Sequence, residues 1–135
     1  MRISLKFSLV PQMALIVAAA LSIAPAQAAI EAPYSAAAVA AAQAKGEAVV
    51  VDVAAWWCPV CMSQHSTIKK LVADKRFDKL HIFKLNYDSQ KPEWQALGVH
   101  RQATLIGYKG KQEVGRVEFQ TDADLIQKLL TSTVS

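Results

Sequence analysis

A pair of cysteines separated by two residues, at the junction of a predicted strand and a predicted helix, most constrains the fold of this chain. Cys58 and Cys61 are the only cysteines among its 135 residues. The apolar run 48–54 before them predicts a buried strand, and residues 62 to about 75 after them predict a helix. A Cys-x-x-Cys pair in this context is typical of a redox-active dithiol.

The spacing suits disulfide exchange, because the first cysteine falls at the start of the helix. The thiolate is the attacking species, and the unpaired N–H groups and dipole of a helix N-terminus stabilise an anion. Pro59 suits the first helical position, and Cys61 lies one turn on, within disulfide reach of Cys58. We therefore expect Cys58 to be the nucleophile and Cys61 the resolving thiol, with a Cys58–Cys61 disulfide in the oxidised state. The alternatives are a structural disulfide or half of a zinc site, although a second Cys-x-x-Cys is missing.

Three segments of the chain resemble the thioredoxin family, within a match that runs from about Ala48 to Leu130. Residues 51–53, followed by Trp57 and the cysteine pair, are similar to the family's active-site strand and turn, and 84–88 and 104–109 are similar to its next two strands. The resemblance implies an α/β thioredoxin fold, in which a central mixed sheet of four to five strands is flanked by helices on both faces. It also implies thiol–disulfide oxidoreductase activity that needs no dissociable cofactor.

The resemblance also assigns roles to residues around the cysteines. Asp52 matches a buried acid that accepts the proton of the family's resolving cysteine, and Lys84 matches a lysine near that acid. Because Asp52 lies in an apolar run, we expect it to be buried, and burial raises a carboxyl pKa. The expected substrate-binding residues are Trp57, Pro59, Val60, Gln102 and Ala103. Trp56 either adds apolar surface beside Cys58 or packs locally.

The largest departure from the family lies just before Thr104. The family has a cis-proline at this position, facing the cysteines, whereas this chain has Ala103. A cis bond before a residue other than proline costs about 2.5–4 kcal/mol, so we expect a trans Gln102–Ala103 bond and a reshaped loop. In the family this loop holds the substrate and its proline helps to keep metals off the thiols. The sequence therefore does not decide whether this loop binds substrate or whether it keeps metals off the thiols.

A second hypothesis uses the same thiols to bind a metal. Cys58, Cys61 and His65 form a Cys-x-x-Cys-x-x-x-His sequence, and His100 lies near the altered loop. Thiolate and imidazole ligands suit Cu(I) or Zn(II), so the chain would be a metal-binding or metal-delivery module. For each histidine alone, however, the expected place is the solvent-exposed surface. A third hypothesis is a cysteine-dependent interaction domain with little turnover.

The N-terminal residues predict export. Basic residues precede an apolar run over 13–24, and Ala26-Gln27-Ala28 is typical of a signal-peptide cleavage site. The run is shorter than the roughly 18 to 20 residues of a membrane span. We therefore expect a signal peptide of residues 1–28 and a thioredoxin-like domain of residues 29–135. The expected location is the periplasm, without stable membrane insertion after cleavage.

The charge of the chain argues against nucleic acid as a partner. The formal net charge is +4 and would fall to +2 without Arg2 and Lys6, and the basic residues are scattered. We expect a monomer whose partners are periplasmic protein thiols and disulfides and a membrane electron donor. Strong oxidants of the family usually carry a histidine between the cysteines. The pair Pro59-Val60 in that place favours a reductase.

The remaining sequence predicts regular elements around the cysteines. They are a helix over 36–45, a strand around 81–87, a short helix over 92–97, hairpin strands over 103–109 and 112–119, and a final helix after residue 121. The final helix should bury Leu125, Ile126, Leu129 and Leu130. The family's strand before the first helix is expected to be missing or vestigial, because little chain precedes that helix after cleavage.

Overall fold

The computed structural model describes residues 28–135, which form a five-stranded mixed sheet with helices on both faces. In chain order the elements are β1 (Ile30–Pro33), α1 (Ala36–Ala44), β2 (Ala48–Ala54), α2 (Pro59–Leu71), a 3-10 turn (Lys75–Phe77), β3 (His81–Asn86), α3 (Lys91–Ala96), β4 (Thr104–Lys109), β5 (Gln112–Glu118) and α4 (Ala123–Val134). The predicted signal peptide lies outside the described residues, except for Ala28. None of the described helices is long and apolar enough to cross a membrane.

The strand β2 lies at the centre of the sheet, and both of its faces are buried. The strand order is β1-β3-β2-β4-β5. The strands β1, β3 and β2 are parallel to one another, β4 is antiparallel to β2, and β5 is antiparallel to β4. Side chains alternate along a strand. Val49, Val51 and Val53 therefore enter one core with residues of α1 and α3, while Val50 enters the other core with residues of α2 and α4. The same alternation turns Asp52 towards α2.

The helix ends follow local capping rules. Ser35 caps α1, because its Oγ accepts a hydrogen bond from the backbone N–H of Ala38 at 3.1 Å. Gly46, with a φ of +73°, lets the chain turn into β2. The helix α2 ends at Leu71, four residues earlier than predicted, and a 3-10 turn capped by Asp74 follows.

One prediction about elements is wrong, namely the burial of Leu125. The strand before α1, expected to be missing or vestigial, is present as a short strand: β1 pairs in parallel with β3, with Ile30 opposite His81. Its four residues lie at the edge of the sheet and are largely exposed, so they carry no apolar pattern. In α4, Leu125 is 44% exposed. The residues that α4 does bury are Ile126, Leu129, Leu130 and Thr133.

Candidate active site

The two cysteines lie where the central strand β2 meets the N-terminus of α2. Cys58 is the N-cap of α2, and its Sγ accepts a hydrogen bond from the backbone N–H of Cys61 at 3.1 Å. Both cysteines are free thiols, with exposed fractions of 2% and 0%. Pro59 occupies the first helical position, as predicted. The backbone therefore presents an N–H donor to the sulfur expected to become the nucleophile.

The second thiol is held in its protonated form. Burial, together with a side-chain hydrogen bond to Cys58, raises the pKa of Cys61 to about 12. A thiol attacks a disulfide only after it has lost its proton. Any chemistry that uses Cys61 as a nucleophile therefore needs a base near it.

Asp52 lies on the same face of β2 as the cysteine helix, and its side chain is 0% exposed. Lys84 on β3 donates a hydrogen bond from Nζ to Oδ2 of Asp52 at 2.9 Å, and Nε2 of His65 on α2 lies 2.7 Å from the same oxygen. Burial alone would raise the pKa of Asp52, but His65 and Lys84 together hold that pKa below its usual value. The predicted burial of Asp52 is confirmed, whereas the expected rise in its pKa is wrong.

His65 was expected either to point to solvent or to join the thiols around a metal, and the structure instead places it partly in solvent and partly against Asp52. Its side chain is 38% exposed, and Nε2 contacts the buried carboxylate of Asp52. The contact is an ion pair when His65 is protonated. His100 is exposed. Within residues 28–135, no three His, Cys, Asp or Glu side chains are grouped to hold a metal ion.

The loop before β4 faces the cysteines without a proline. Among residues 28–135 every peptide bond is trans, including Gln102–Ala103 as predicted, and Ala103 has a φ of +57°. Ala103 is 0% exposed and packs against Cys58 and Cys61. Its carbonyl oxygen accepts a hydrogen bond from the backbone N–H of Phe119 at 2.8 Å. The reshaped loop therefore keeps its place beside the dithiol, while Gln102 is half-buried next to it.

Gln64 fixes this loop, and the sequence analysis missed it. Its fully buried side chain donates from Nε2 to the carbonyl oxygens of Ala103, at 3.1 Å, and of Gln120, at 3.0 Å. The signal was present in the helical spacing. Gln64 lies three residues after Cys61 and four before Ile68, both buried in α2, so a polar side chain occupies the core-facing stripe of the helix.

Exposed apolar side chains lie close to Cys58 in sequence. Trp57 is partly exposed, and its indole Nε1 donates to the carboxylate of Asp88 at 3.1 and 3.2 Å. Trp56 is 85% exposed, and Met62 on α2 is also exposed. Of the other residues predicted to bind substrate, Pro59 is exposed and Val60 is half-buried. Trp57, Pro59, Val60 and Gln102 are thus at least partly exposed, whereas Cys58 and Ala103 are buried.

A reduced dithiol at a strand-to-helix junction, with a buried acid behind it, defines a redox-active protein on a thioredoxin fold. The family model of thioredoxin matches residues 33–132. The crystal structure of Trxlp from Edwardsiella tarda EIB202 superposes with a TM-score of 0.71 at 42% sequence identity, over 76% of this chain and 98% of that chain. The chain belongs to the thioredoxin family, whose members are in general thiol–disulfide oxidoreductases.

More distant structures share the fold. Thioredoxin Mala s 13 from Malassezia sympodialis superposes with a TM-score of 0.70 at 21% identity, over 81% of this chain and 94% of that chain. Thioredoxin NaTrxh from Nicotiana alata superposes with a TM-score of 0.67 at 23% identity, over 79% of this chain and 93% of that chain. A search of the curated proteins gave no match.

Proposed function

We propose that this protein is an exported thiol–disulfide oxidoreductase that exchanges disulfides with partner proteins through Cys58 and Cys61, and that it acts as a reductase. The observation that carries the proposal is the unequal environment of the two thiols. Cys58 caps α2 and receives the N–H of Cys61, whereas burial keeps Cys61 a thiol. Cys58 is thus placed to attack first, and Cys61 keeps its proton until the resolving step.

The exchange has two steps. The thiolate of Cys58 attacks a partner disulfide, so that one partner sulfur leaves as a thiolate and a mixed disulfide forms. Cys61 then loses its proton to Asp52 and attacks the Cys58 sulfur, and the second partner sulfur leaves as a thiolate. The partner gains two electrons, and the dithiol loses two as it closes into the Cys58–Cys61 disulfide.

The environment of Asp52 supports its role as the base. Cys61 and His65 lie one helical turn apart on α2, so their side chains share a face. His65 contacts Asp52 at 2.7 Å, so the carboxylate faces the helix that carries the resolving thiol. Lys84 keeps the carboxylate ionised and so able to accept a proton.

The direction of electron transfer and the cellular location of the protein are the more specific parts of the proposal. Pro59-Val60 between the cysteines, without a histidine, favours a reductase. The export signal predicted for residues 1–28 favours the periplasm, where a reductase needs a membrane electron donor because dependable thiol-reducing pools belong to the cytosol. The substrates would be periplasmic proteins with disulfides, and their chains would contact the apolar surface around Cys58.

The test is the reduction potential of the Cys58–Cys61 pair, measured by thiol trapping in metal-free glutathione or dithiothreitol buffers. A value of roughly −270 to −200 mV supports a reductase, and a value near −120 mV would reverse the direction. The Cys61→Ser variant should accumulate the mixed disulfide with a disulfide substrate, and Cys58→Ser should form none. A pair that does not close into a disulfide would contradict exchange chemistry altogether.

A further inference from the structure

Two side chains from different elements contact one oxygen of Asp52. Nζ of Lys84 on β3 and Nε2 of His65 on α2 both approach Oδ2, at 2.9 and 2.7 Å. Oδ1 is buried and accepts no hydrogen bond from the described residues. The protonation of the carboxylate therefore depends on both side chains.

His65 connects this buried group to solvent. Asp52 is 0% exposed, whereas the His65 side chain is 38% exposed. Both residues line an open cleft beside the edge strand β1, together with Glu31 and Lys84. The charged and titratable groups that contact Asp52 are His65 from α2 and Lys84 from β3, and Oε2 of Glu31 from β1 lies 4.0 Å from Nζ of Lys84.

Of the two side-chain types that contact Asp52, only an imidazole ordinarily exists in both a charged and a neutral form in the range where proteins usually work. Histidine side chains ordinarily titrate between about pH 5 and pH 8, whereas lysine side chains ordinarily stay charged throughout that range. When His65 is charged, two cations stabilise the carboxylate, which then binds a proton weakly. When His65 is neutral, Lys84 alone remains, and the carboxylate binds a proton more readily.

We propose that His65 is a positioning residue of the thiol exchange, whose charge controls how readily Asp52 takes the proton of Cys61. The role rests on the proposed oxidoreductase function, because it concerns the step in which Cys61 resolves the mixed disulfide. In that step the S–H bond of Cys61 breaks, Asp52 receives the proton, and the new Cys58–Cys61 bond forms as the partner thiolate leaves. His65 touches none of the reacting sulfurs and acts only through the carboxylate.

The test follows the resolving step with 5,5′-dithiobis(2-nitrobenzoate). Attack by Cys58 releases one aromatic thiolate, and resolution by Cys61 releases the second, so a stopped-flow record separates the two steps by absorbance. The second release is compared between the wild type and His65→Gln across a pH series. At about pH 5.5 the variant should resolve about three- to tenfold faster, because it lacks the charge that weakens the base, and at about pH 8 the two rates should converge.

Three controls separate this role from a structural one. His100→Gln removes an exposed histidine and should leave the ratio of rates to the wild type flat across the pH series. In the Asp52→Asn background, His65→Gln should change nothing further, because its effect passes through the carboxylate. His65→Asn should behave like His65→Gln, which guards against a single poorly folded variant, and circular dichroism establishes folding in each case.

The outcomes distinguish a failure of the oxidoreductase function from a failure of the role of His65. A wild-type protein without a Cys61-dependent second release would overturn the oxidoreductase function, and the role of His65 with it. A normal second release, with the same ratio of His65→Gln to wild type at every pH, would overturn the role of His65 alone. An equal effect of His65→Gln in the Asp52→Asn background would also overturn it.

Discussion

The Asp52 carboxylate remains an anion in a place that solvent does not reach. Transfer of a lone carboxylate into a protein interior is strongly unfavourable, so its ionisation depends on Lys84 and His65. The pKa of Asp52 is lowered for that reason. Its ionised form therefore adds stability above the ordinary carboxyl pKa of about 4, and that stability is lost as the pH falls further, through the lowered folded-state pKa.

Replacing Lys84 by Met should destabilise the protein at neutral pH. The variant leaves Asp52 with only the His65 side chain beside it. The full loss of a buried partner costs about 3–5 kcal/mol, but Lys84 is a third exposed and His65 remains. We therefore expect a loss of about 1–3 kcal/mol in the free energy of unfolding, measured in urea.

The matched control adds Asp52→Asn to Lys84→Met. Once the carboxylate is replaced by a neutral amide, the missing ammonium should matter little, and the double variant should be more stable than Lys84→Met alone. Equal losses from Lys84→Met in the wild type and in the Asp52→Asn background would mean that Lys84 stabilises the fold by packing instead of charge.

The buried thiol of Cys61 gives the reduced protein a second pH dependence. Its pKa is raised to about 12 in the folded chain, against 9.0 for a free thiol. A raised pKa stabilises the folded state below the unfolded pKa, and this contribution is lost as the pH rises from about 9 towards 12. Urea unfolding of the reduced protein should therefore show a steeper decline above about pH 9 than unfolding of Cys61→Ser, which has no group to ionise there.

At the scale of elements, the loop before β4 departs from the family in conformation as well as in sequence. Ala103 has a φ of +57°, a region that residues other than glycine seldom adopt. Two hydrogen bonds to its carbonyl oxygen, from Gln64 and Phe119, hold the loop in that form. The loop thus depends on a buried glutamine for the order that the family obtains from a proline.

Placing proline at position 103 should therefore destabilise this protein, although the family carries one. Proline fixes φ near −65°, and the loop requires +57° at this position. We expect Ala103→Pro to lower the free energy of unfolding by more than about 1 kcal/mol. Ala103→Gly, which accepts a positive φ, should be neutral or slightly stabilising. Denaturant unfolding measures the free energy of unfolding of both variants. A stabilised Ala103→Pro would mean that the loop can adopt the family's conformation.

The sequence predicts most elements of the fold, because most carry strong local signals. The apolar run 48–54 predicts β2 with its observed bounds, and Ser35 and Gly46 mark the ends of α1. The strand β1 has no such signal, since it is short and its residues form an exposed edge. Its place depends on backbone pairing with β3, which no local pattern encodes.

The same limit applies to the site. The positions of Cys58, Cys61, Asp52 and Lys84 follow from a motif and a family resemblance, and the structure brings the acid and the lysine together. The contact of His65 with Asp52 joins a helix to a strand, so helical spacing alone indicated only a shared face with Cys61. For that histidine the sequence predicts a metal ligand or a solvent-exposed side chain, and nothing in it indicates contact with a buried carboxylate.

Over the molecule as a whole, two large apolar side chains are exposed close in sequence to the sulfur expected to meet substrates. They are Trp56 and Met62, whereas Cys58 itself is only 2% exposed. We expect an extended chain bound at the sulfur to contact these side chains and a small disulfide to avoid them. Large exposed apolar side chains that lie together are typical of contact surfaces.

The Trp56→Ala variant should separate these two kinds of substrate. The side chain is 85% exposed, so stability should change by less than about 0.5 kcal/mol. Reduction of a protein disulfide should become slower, by about three- to tenfold, because a contact of about 1 kcal/mol is lost. Oxidised glutathione is the matched small substrate and should react at the wild-type rate. Equal slowing of both substrates would assign Trp56 to the chemistry of Cys58 instead of to recognition.

The edge strand β1 also has a consequence for the order in which the chain assembles. Its pairing partner on β3 lies about fifty residues further along the chain, so β1 can dock only after a long loop has closed. Because its four residues are mostly exposed, β1 buries little surface to offset the entropy that is lost when the loop closes. We expect β1 to be the last strand to join the sheet and the first to leave it. Amide hydrogen exchange should therefore be faster for residues 30–33 than for the central residues 49–53, and equal protection of the two segments would contradict this order.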